Sequence, residues 1–90
     1  MSSYILRFSE QAKEDIRQHK KSGNKAVVNK ISLFLEELTN HPFIGTGKPE
    51  PLKHSLTGCW SRRINREHRL VYEVSETVVS ILSAKGHYEQ

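Results

Sequence analysis

Cysteine is nearly absent from this chain of 90 residues, and its single thiol, Cys59, excludes an internal disulfide framework. Long apolar runs are absent as well, since no stretch approaches the roughly 18 consecutive apolar residues that a transmembrane helix needs. Residues 1–7 lack the charged start and apolar stretch that are typical of a secretory signal peptide. We therefore expect a cytoplasmic protein that does not interact with a membrane.

Ligand and cofactor motifs are also missing. The chain has no Walker loop, no GxGxxG segment and no paired-cysteine zinc spacing. Its five histidines show no HExxH arrangement, and Cys59 has no evident activating partner, which favours a strand residue over a nucleophile. We expect neither a metal nor a cofactor.

The length and the charge of the chain exclude fewer functions than the missing motifs do. Ninety residues predict one domain, residues 1–90, with a small core. The formal net charge is +4; residues 1–40 carry seven Lys or Arg against five Asp or Glu, and residues 41–72 carry six against two. A basic surface often binds a polyanion, although the same residues suit an ordinary solvated surface. Charge alone leaves both interpretations open.

The first half of the chain predicts a strand and two helices. Residues 4–8 are typical of a short strand, and Ser9 is a favourable N-cap for a helix from Glu10 to about Lys21. Gly23-Asn24 ends this helix and can cap the next one, so we expect two antiparallel helices joined by a tight turn. The second helix has apolar residues along one face, namely Val27, Ile31, Phe34, Leu35 and Leu38.

The second half predicts a loop and a sheet. Residues 42–51 are rich in proline and glycine, which indicates a loop, and residues 52–54 suit a short strand or turn. Strands are predicted at 59–64, 68–74 and 78–84, and their short connections favour antiparallel hairpins. The order β-α-α-β-β-β predicts an α+β fold, in which an antiparallel sheet carries the two N-terminal helices on one face.

Residues suited to acid–base chemistry occur in this second half. RNA cleavage without a metal needs a base for the ribose 2′-hydroxyl, cations at the phosphate and an acid for the departing 5′-oxygen. Glu50 has the right type for the base, and His87 can exchange a proton near neutral pH. Arg63 and Arg69 offer cations, and Tyr88 offers a ring for stacking on a base. DNA lacks the 2′-hydroxyl, so this chemistry would select RNA.

The arrangement of the arginines is not readable from the sequence. A turn of odd length would place Arg63 and Arg69 on the same sheet face, whereas a turn of even length would pair Arg62 with Arg69. Either arrangement places two arginines together, where an anion can bind between them. The alternative is that these side chains pair with nearby glutamates or face water.

Three fragments form a more specific signal. They are GKPEPLKH at 47–54, WSRRI at 60–64 and HRLVY at 68–72. With the closing His87-Tyr88 pair, they resemble the Txe/YoeB toxins of bacterial type II toxin–antitoxin modules, within the RelE/ParE superfamily. The resemblance is dense in the middle of the chain and thin in the helices.

The resemblance implies a RelE-like fold and a ribosome-dependent mRNA endonuclease. Such toxins cut the codon in the A site of the 70S ribosome, leave a cyclic phosphate and a 5′-hydroxyl, and so inhibit translation. By motif, Glu50 resembles the general base, His87 the general acid, and Arg69 the group that stabilises the transition state. The expected substrate-binding residues are Lys53, Arg62, Arg63 and Tyr88.

The resemblance also implies partners, namely a cognate YefM/Axe-like antitoxin and a possible second copy of the toxin. One departure is that the chain continues past the His-Tyr pair with Glu89 and Gln90. Two other functions stay open, a ParE-like inhibitor of DNA gyrase on the same fold and a basic module that only binds RNA. An inhibitor would not need Glu50 and His87, and a binding module would be insensitive to loss of the 2′-hydroxyl.

Overall fold

The computed structural model describes residues 4–53 and 56–86, which form two helices and one five-stranded sheet. The helices are α1 (Glu10–Lys21) and α2 (Lys25–Leu38). The strands are β1 (Ile5–Phe8), β2 (Glu50–Pro51), β3 (Cys59–Arg63), β4 (Arg69–Ser75) and β5 (Val78–Ser83). The predicted α+β class is confirmed, and the elements follow the predicted order with one additional short strand, β2. Neither helix in this part of the chain has the length and apolar character to cross a bilayer.

The sheet has the strand order β1-β5-β4-β3-β2 and is mixed. As predicted, β3, β4 and β5 are joined as antiparallel hairpins. The prediction of a wholly antiparallel sheet is corrected at β1, which pairs parallel to β5 with Ile5 opposite Val78. No tight turn sets the direction of β1, because two helices follow it before the chain re-enters the sheet at the far edge. The short strand β2 lies at residues 50–51, slightly before the predicted 52–54.

Both helices begin where the sequence predicts. The Ser9 hydroxyl accepts a hydrogen bond from the Ala12 amide at 3.0 Å and caps α1. The Asn24 side chain accepts from the Val27 amide at 3.2 Å and caps α2. Between the helices, Gly23 has φ +77°, a left-handed conformation that glycine adopts without strain. Each capping contact joins residues only three positions apart, so the sequence signals it locally.

The main core lies between the helices and one face of the sheet. Leu70 and Tyr72 point from β4 into this core, whereas Val71 points to the opposite face, as the alternation along the strand predicts. The opposite face carries a smaller apolar cluster of Leu52, Cys59 and Val71. The buried members of the main core are Ala12, Val27, Ile31, Phe34, Leu38, Ile64, Leu70, Tyr72, Val79, Ile81 and Ala84.

Arg62 in β3 is the largest fully buried side chain in the described part of the chain. Arginine has five N–H donors, and this guanidinium donates five hydrogen bonds. The acceptors are the Tyr72 hydroxyl (3.3 Å), the Glu37 carboxylate (2.5 Å) and the carbonyl groups of His41 (3.0 Å), Ile44 (2.8 Å) and Thr46 (3.3 Å). This position is incompatible with the predicted contact of Arg62 with substrate, and we correct that prediction: Arg62 holds the loop before β2.

Glu37 is the acidic partner of Arg62. It also accepts hydrogen bonds from the Thr46 amide at 2.9 Å and from the Thr46 hydroxyl at 2.6 Å. Burial opposes ionisation of Glu37, but the hydrogen bonds from Thr46 and Arg62 outweigh burial and hold its pKa below the ordinary value of 4.5. Because the folded-state pKa is the lower one, ionised Glu37 stabilises the fold above pH 4.5, and this contribution is lost as the pH falls below that value.

We therefore expect the urea midpoint of unfolding to fall more steeply below pH 4.5 in the wild type than in Glu37→Gln. The variant is less stable at neutral pH, because buried Arg62 loses its counter-charge, but its midpoint depends less on acid. Glu36→Gln is the matched control, since Glu36 is the exposed neighbour on α2. Equal acid dependence in Glu37→Gln and the wild type would contradict the assigned role.

Candidate active site

Three of the predicted site residues share the sheet face that the helices do not cover. Arg63 at the end of β3 lies directly opposite Arg69 at the start of β4. Glu50 in β2 lies opposite Ser61, two residues before Arg63. Side chains directly opposite each other in a sheet point to the same face, as do residues two apart along a strand. Glu50, Arg63 and Arg69 therefore converge on one surface.

The connection between β3 and β4 decides which arginines share this surface. Residues 64–68 form a five-residue link, which is the odd length that pairs Arg63 with Arg69. The Asn65 side chain stabilises the turn by accepting from the amides of Glu67 and His68, both at 2.8 Å. Arg63 is thereby exposed on the uncovered face, and its Nε donates to the Asn65 carbonyl at 3.4 Å.

Glu50 and Arg69 face each other across this surface. The Arg69 Nη1 atom lies 4.0 Å from the Glu50 Oε1 atom, and the two side chains are 22% and 53% exposed. An ion pair this open and this long contributes little to stability. The pair can instead matter for chemistry, because it places a proton acceptor beside a cation on a surface that a phosphodiester can reach.

The loop before β2 packs closely against the end of β3 and against α2. The Gly47 carbonyl accepts a hydrogen bond from the Arg63 amide at 2.8 Å, so the loop lies against the end of β3. Gly47 has φ +84°, and a Cβ atom at this position would come within 2.5 Å of the Phe34 ring. Only glycine satisfies both conditions. This explains the glycine of the GKPEPLKH fragment, which positions Glu50 three residues later.

The remaining predicted residues lie near the site in sequence. Lys53 is exposed and follows β2. His87 and Tyr88 lie outside the described residues, so their predicted roles stay predictions. The chain reaches them through Gly86, whose carbonyl accepts from the Arg69 amide at 3.1 Å and whose amide donates to His68 Nδ1 at 2.9 Å.

Two further features concern possible metal ligands and the thiol of Cys59. Residues 4–53 and 56–86 hold no group of three or more metal-ligating side chains. Burial raises the pKa of the Cys59 thiol, and the charge of Glu73 acts in the same direction. A thiol with a raised pKa is a poor nucleophile at neutral pH.

Three polar residues that bind the backbone of residues 84–86 are not evident from the sequence: Asp15, His19 and His68. Asp15 and His19 stand four residues apart on the inner face of α1, where apolar residues are the norm. The signal in the sequence is that the apolar stripe of α1 is thin, since it consists of Ala12 and Ile16. The Asp15 and His19 side chains are both buried and bind the backbone of Ala84 at the end of β5.

Comparison of the sequence with models of known protein families identifies the family. The model for YoeB-like toxins of bacterial type II toxin–antitoxin systems matches residues 8–88. The chain belongs to this family. It is therefore a toxin of a type II toxin–antitoxin system, and the matched range includes Glu50, Arg69 and the His87-Tyr88 pair.

Individual YoeB proteins are similar over most of their length. Toxin YoeB of Escherichia coli (strain K12) is 49% identical over 65 residues, which is 72% of this chain and 77% of that protein. The YoeB dimer from Staphylococcus aureus superposes with a TM-score of 0.83 at 44% identity, covering 97% of this chain and 100% of that one. The YoeB–YefM complex from Staphylococcus aureus gives a TM-score of 0.81 at 46% identity, covering 94% and 98%. The expected YoeB resemblance and RelE-like fold are confirmed.

Proposed function

We propose that this toxin is a metal-independent endoribonuclease that cuts mRNA in the A site of the ribosome. The observation that supports this most strongly is the placement of Glu50 beside Arg69, with Arg63 opposite Arg69, on an uncovered sheet face. A pure inhibitor would not need a proton acceptor next to a pair of cations. Membership of the YoeB family supports the same conclusion.

The proposed reaction is an internal transfer at phosphorus. Glu50 takes the proton of the ribose 2′-hydroxyl, and the 2′-oxygen forms a bond to the adjacent phosphorus. The bond from phosphorus to the 5′-oxygen breaks, and His87 gives that oxygen a proton. The products are a 2′,3′-cyclic phosphate and a 5′-hydroxyl, and Arg69 stabilises the extra negative charge in between.

Supporting residues bind the substrate in this scheme. Arg63 lies across the strand pair from Arg69 and contacts the same or the next phosphate. Lys53 adds a further cation near β2, and Tyr88 stacks on a base of the codon. The 2′-hydroxyl requirement restricts the reaction to RNA.

The partners follow from the same proposal. The S. aureus relative is described in a complex with YefM and also as a dimer. We propose a YefM-like antitoxin for this chain, a homodimer in its absence, and the 70S ribosome with mRNA as the target. Such a target implies action in the cytoplasm.

The deciding experiment uses ribosomes programmed with a defined mRNA. After incubation with the toxin, primer extension maps the new 5′ ends, and we expect a cut within the A-site codon that carries a 5′-hydroxyl. An mRNA with a single 2′-deoxynucleotide at the cut position should resist cleavage completely, because the nucleophile is missing. Addition of the antitoxin should suppress the cut.

Other outcomes point to other functions. Intact mRNA together with loss of gyrase supercoiling would favour the ParE-like inhibitor. Salt-sensitive RNA binding that yields no product and tolerates the 2′-deoxy substitution would favour the binding module. Either result overturns the proposed endonuclease.

A further inference from the structure

The end of β5 is held by side chains of α1. The last residue pair between β4 and β5 is Val71 with Ser83. The next residue, Ala84, is therefore not paired with β4. The Ala84 amide donates to Asp15 Oδ2 at 2.9 Å, and the Ala84 carbonyl accepts from His19 Nε2 at 2.7 Å. Two side chains of α1 thus bind the peptide groups of Ala84 just beyond the end of the strand pairing.

Two residues later, the start of β4 holds the chain in the same way. The Gly86 amide donates to His68 Nδ1 at 2.9 Å, and the Gly86 carbonyl accepts from the Arg69 amide at 3.1 Å. Gly86 has φ +75°, a left-handed conformation that redirects the chain at low cost only in glycine. The residue that follows this turn in the sequence is His87.

The buried polar side chains of α1 need a physical reason. Asp15 is 4% exposed and His19 is 5% exposed, and polar groups are costly to bury unless they are hydrogen-bonded. Asp15 satisfies its second oxygen with the Gln11 side chain, which donates to Oδ1 at 2.8 Å. Apolar residues would fill this face of α1 equally well but could not bind the Ala84 peptide groups.

The two histidines link both sets of contacts. The rings of His19 and His68 meet edge to face, with centroids 4.7 Å apart and planes at 73°. His68 Nδ1 acts as an acceptor, so its proton in the neutral ring is on Nε2; His19 donates from Nε2. Both histidines therefore carry a proton on Nε2, but they bind the backbone through different nitrogens, His19 through Nε2 as a donor and His68 through Nδ1 as an acceptor.

We propose that Asp15, His19 and His68 form a tail anchor that fixes the backbone of residues 84–86, on which proton transfer by His87 depends. The anchor ties the backbone just before His87 to α1 and to the strand that carries Arg69. This inference rests on the proposed endonuclease, in which His87 is the acid. The three residues are positioning residues and do not themselves touch the reacting atoms. Misplacement of a catalytic group by about 1 Å can lower a rate by about a hundredfold.

Paired substitutions at His68 test the anchor. Asn places its carbonyl oxygen one bond beyond Cγ, where His68 has Nδ1, whereas Gln places its polar atoms one bond further. His68→Asn should keep the bond to the Gly86 amide and retain cleavage within about threefold of wild type. His68→Gln should lose that bond and slow cleavage by about ten- to a hundredfold.

The same logic applies in reverse at His19. Its bond to Ala84 comes from Nε2, so His19→Gln can preserve the donor, whereas His19→Asn is too short. We expect the order of activity Gln above Asn at position 19 and Asn above Gln at position 68. A role in packing alone would not reverse the preference between these two amides.

Two readouts separate positioning from other effects. Single-turnover cleavage at saturating ribosomes should fall in the impaired variants, while the ribosome concentration for half-maximal rate stays near the wild-type value. Amide hydrogen exchange should accelerate in the segment 84–86 of the impaired variants, and thermal melting should show that all four variants are folded.

The outcomes distinguish the anchor from the function on which it rests. If the wild type does not cut mRNA, the endonuclease proposal fails first. If the wild type cuts and His68→Gln cuts equally fast, the anchor is wrong and the endonuclease stands. Equal activity of the two amides at both positions would likewise overturn the anchor, even if hydrogen exchange changes.

Discussion

Replacement of Arg69 by alanine is expected to slow mRNA cleavage by about two to three orders of magnitude, which is the usual effect of removing one group that stabilises transition-state charge. Arg69 supplies its positive charge 4.0 Å from the Glu50 carboxylate, where the proposed reaction places extra negative charge on the phosphate. The measurement is the single-turnover rate on programmed ribosomes. Arg69→Lys should recover part of the rate, since it keeps the charge but loses the planar fork of donors.

The fold should survive the loss of this side chain. The Arg69–Glu50 ion pair is partly exposed, and such pairs contribute about 0–1 kcal/mol. The Arg69 amide, which binds the Gly86 carbonyl, remains in any variant. Urea unfolding of Arg69→Ala should therefore give a midpoint close to that of the wild type.

Arg7→Ala is the matched control for net charge. Arg7 is an exposed arginine on β1, the strand at the opposite edge of the sheet from β2. The Arg7→Ala substitution removes the same charge at a position on the other edge of the sheet from Glu50. The assignment of Arg69 fails if Arg69→Ala cuts at the rate of the wild type, or if Arg7→Ala is impaired to the same degree.

Replacement of Arg62 by methionine should act on stability, at a cost of about 3–5 kcal/mol, because removal of one member of a buried ion pair leaves the other charge uncompensated. Arg62 is 0% exposed, and its loss would strand the Glu37 carboxylate. The carbonyl groups of His41, Ile44 and Thr46 would lose their donor as well. Methionine replaces the aliphatic part of the arginine side chain, so the effect reports the loss of the guanidinium and its polar contacts together with the space that it leaves.

Arg63→Met is an unusually close control, since the two arginines are adjacent in β3 and point to opposite faces. Arg63 is exposed opposite Arg69, so its replacement should leave the urea midpoint nearly unchanged and slow cleavage. Arg62→Met should lower the midpoint strongly. An Arg62→Met protein as stable as Arg63→Met would refute the buried role of Arg62.

A double-mutant cycle measures the coupling within this network. In Glu37→Gln/Arg62→Met neither charge of the pair remains, so the loss of stability should be smaller than the sum of the two single losses. It should stay well above zero, because three loop carbonyl groups still lack the guanidinium. Additive losses would show that Glu37 and Arg62 do not act together.

The local elements of this protein were predictable from its sequence. Ser9 and Asn24 mark helix starts by capping chemistry that operates within three residues. The alternation through Leu70, Val71 and Tyr72 assigns each side chain to one sheet face or the other. The fragments around Glu50, Arg63 and Arg69 were dense enough to indicate the YoeB family, which the family model confirms.

The site itself depended on strand register, which local sequence does not encode. A shift of one residue between β3 and β4 would have exchanged Arg62 and Arg63, placing the first at the surface and the second in the core. The two side chains are chemically identical, so only the length of the turn at 64–68 and the position of Glu37 on α2 assign one to structure and the other to the site.

The sequence by itself determined the helices, the hairpins and the family, because each depends on short-range pattern or on motif spacing. Tertiary structure alone decided the parallel pairing of β1 with β5, the burial of Arg62, and the contacts of Asp15 and His19 with Ala84. In the sequence, Ala84 is 65 positions from His19 and 69 positions from Asp15. The formation of these contacts depends on how the helices pack on the sheet, since neither partner carries a local signal for the other.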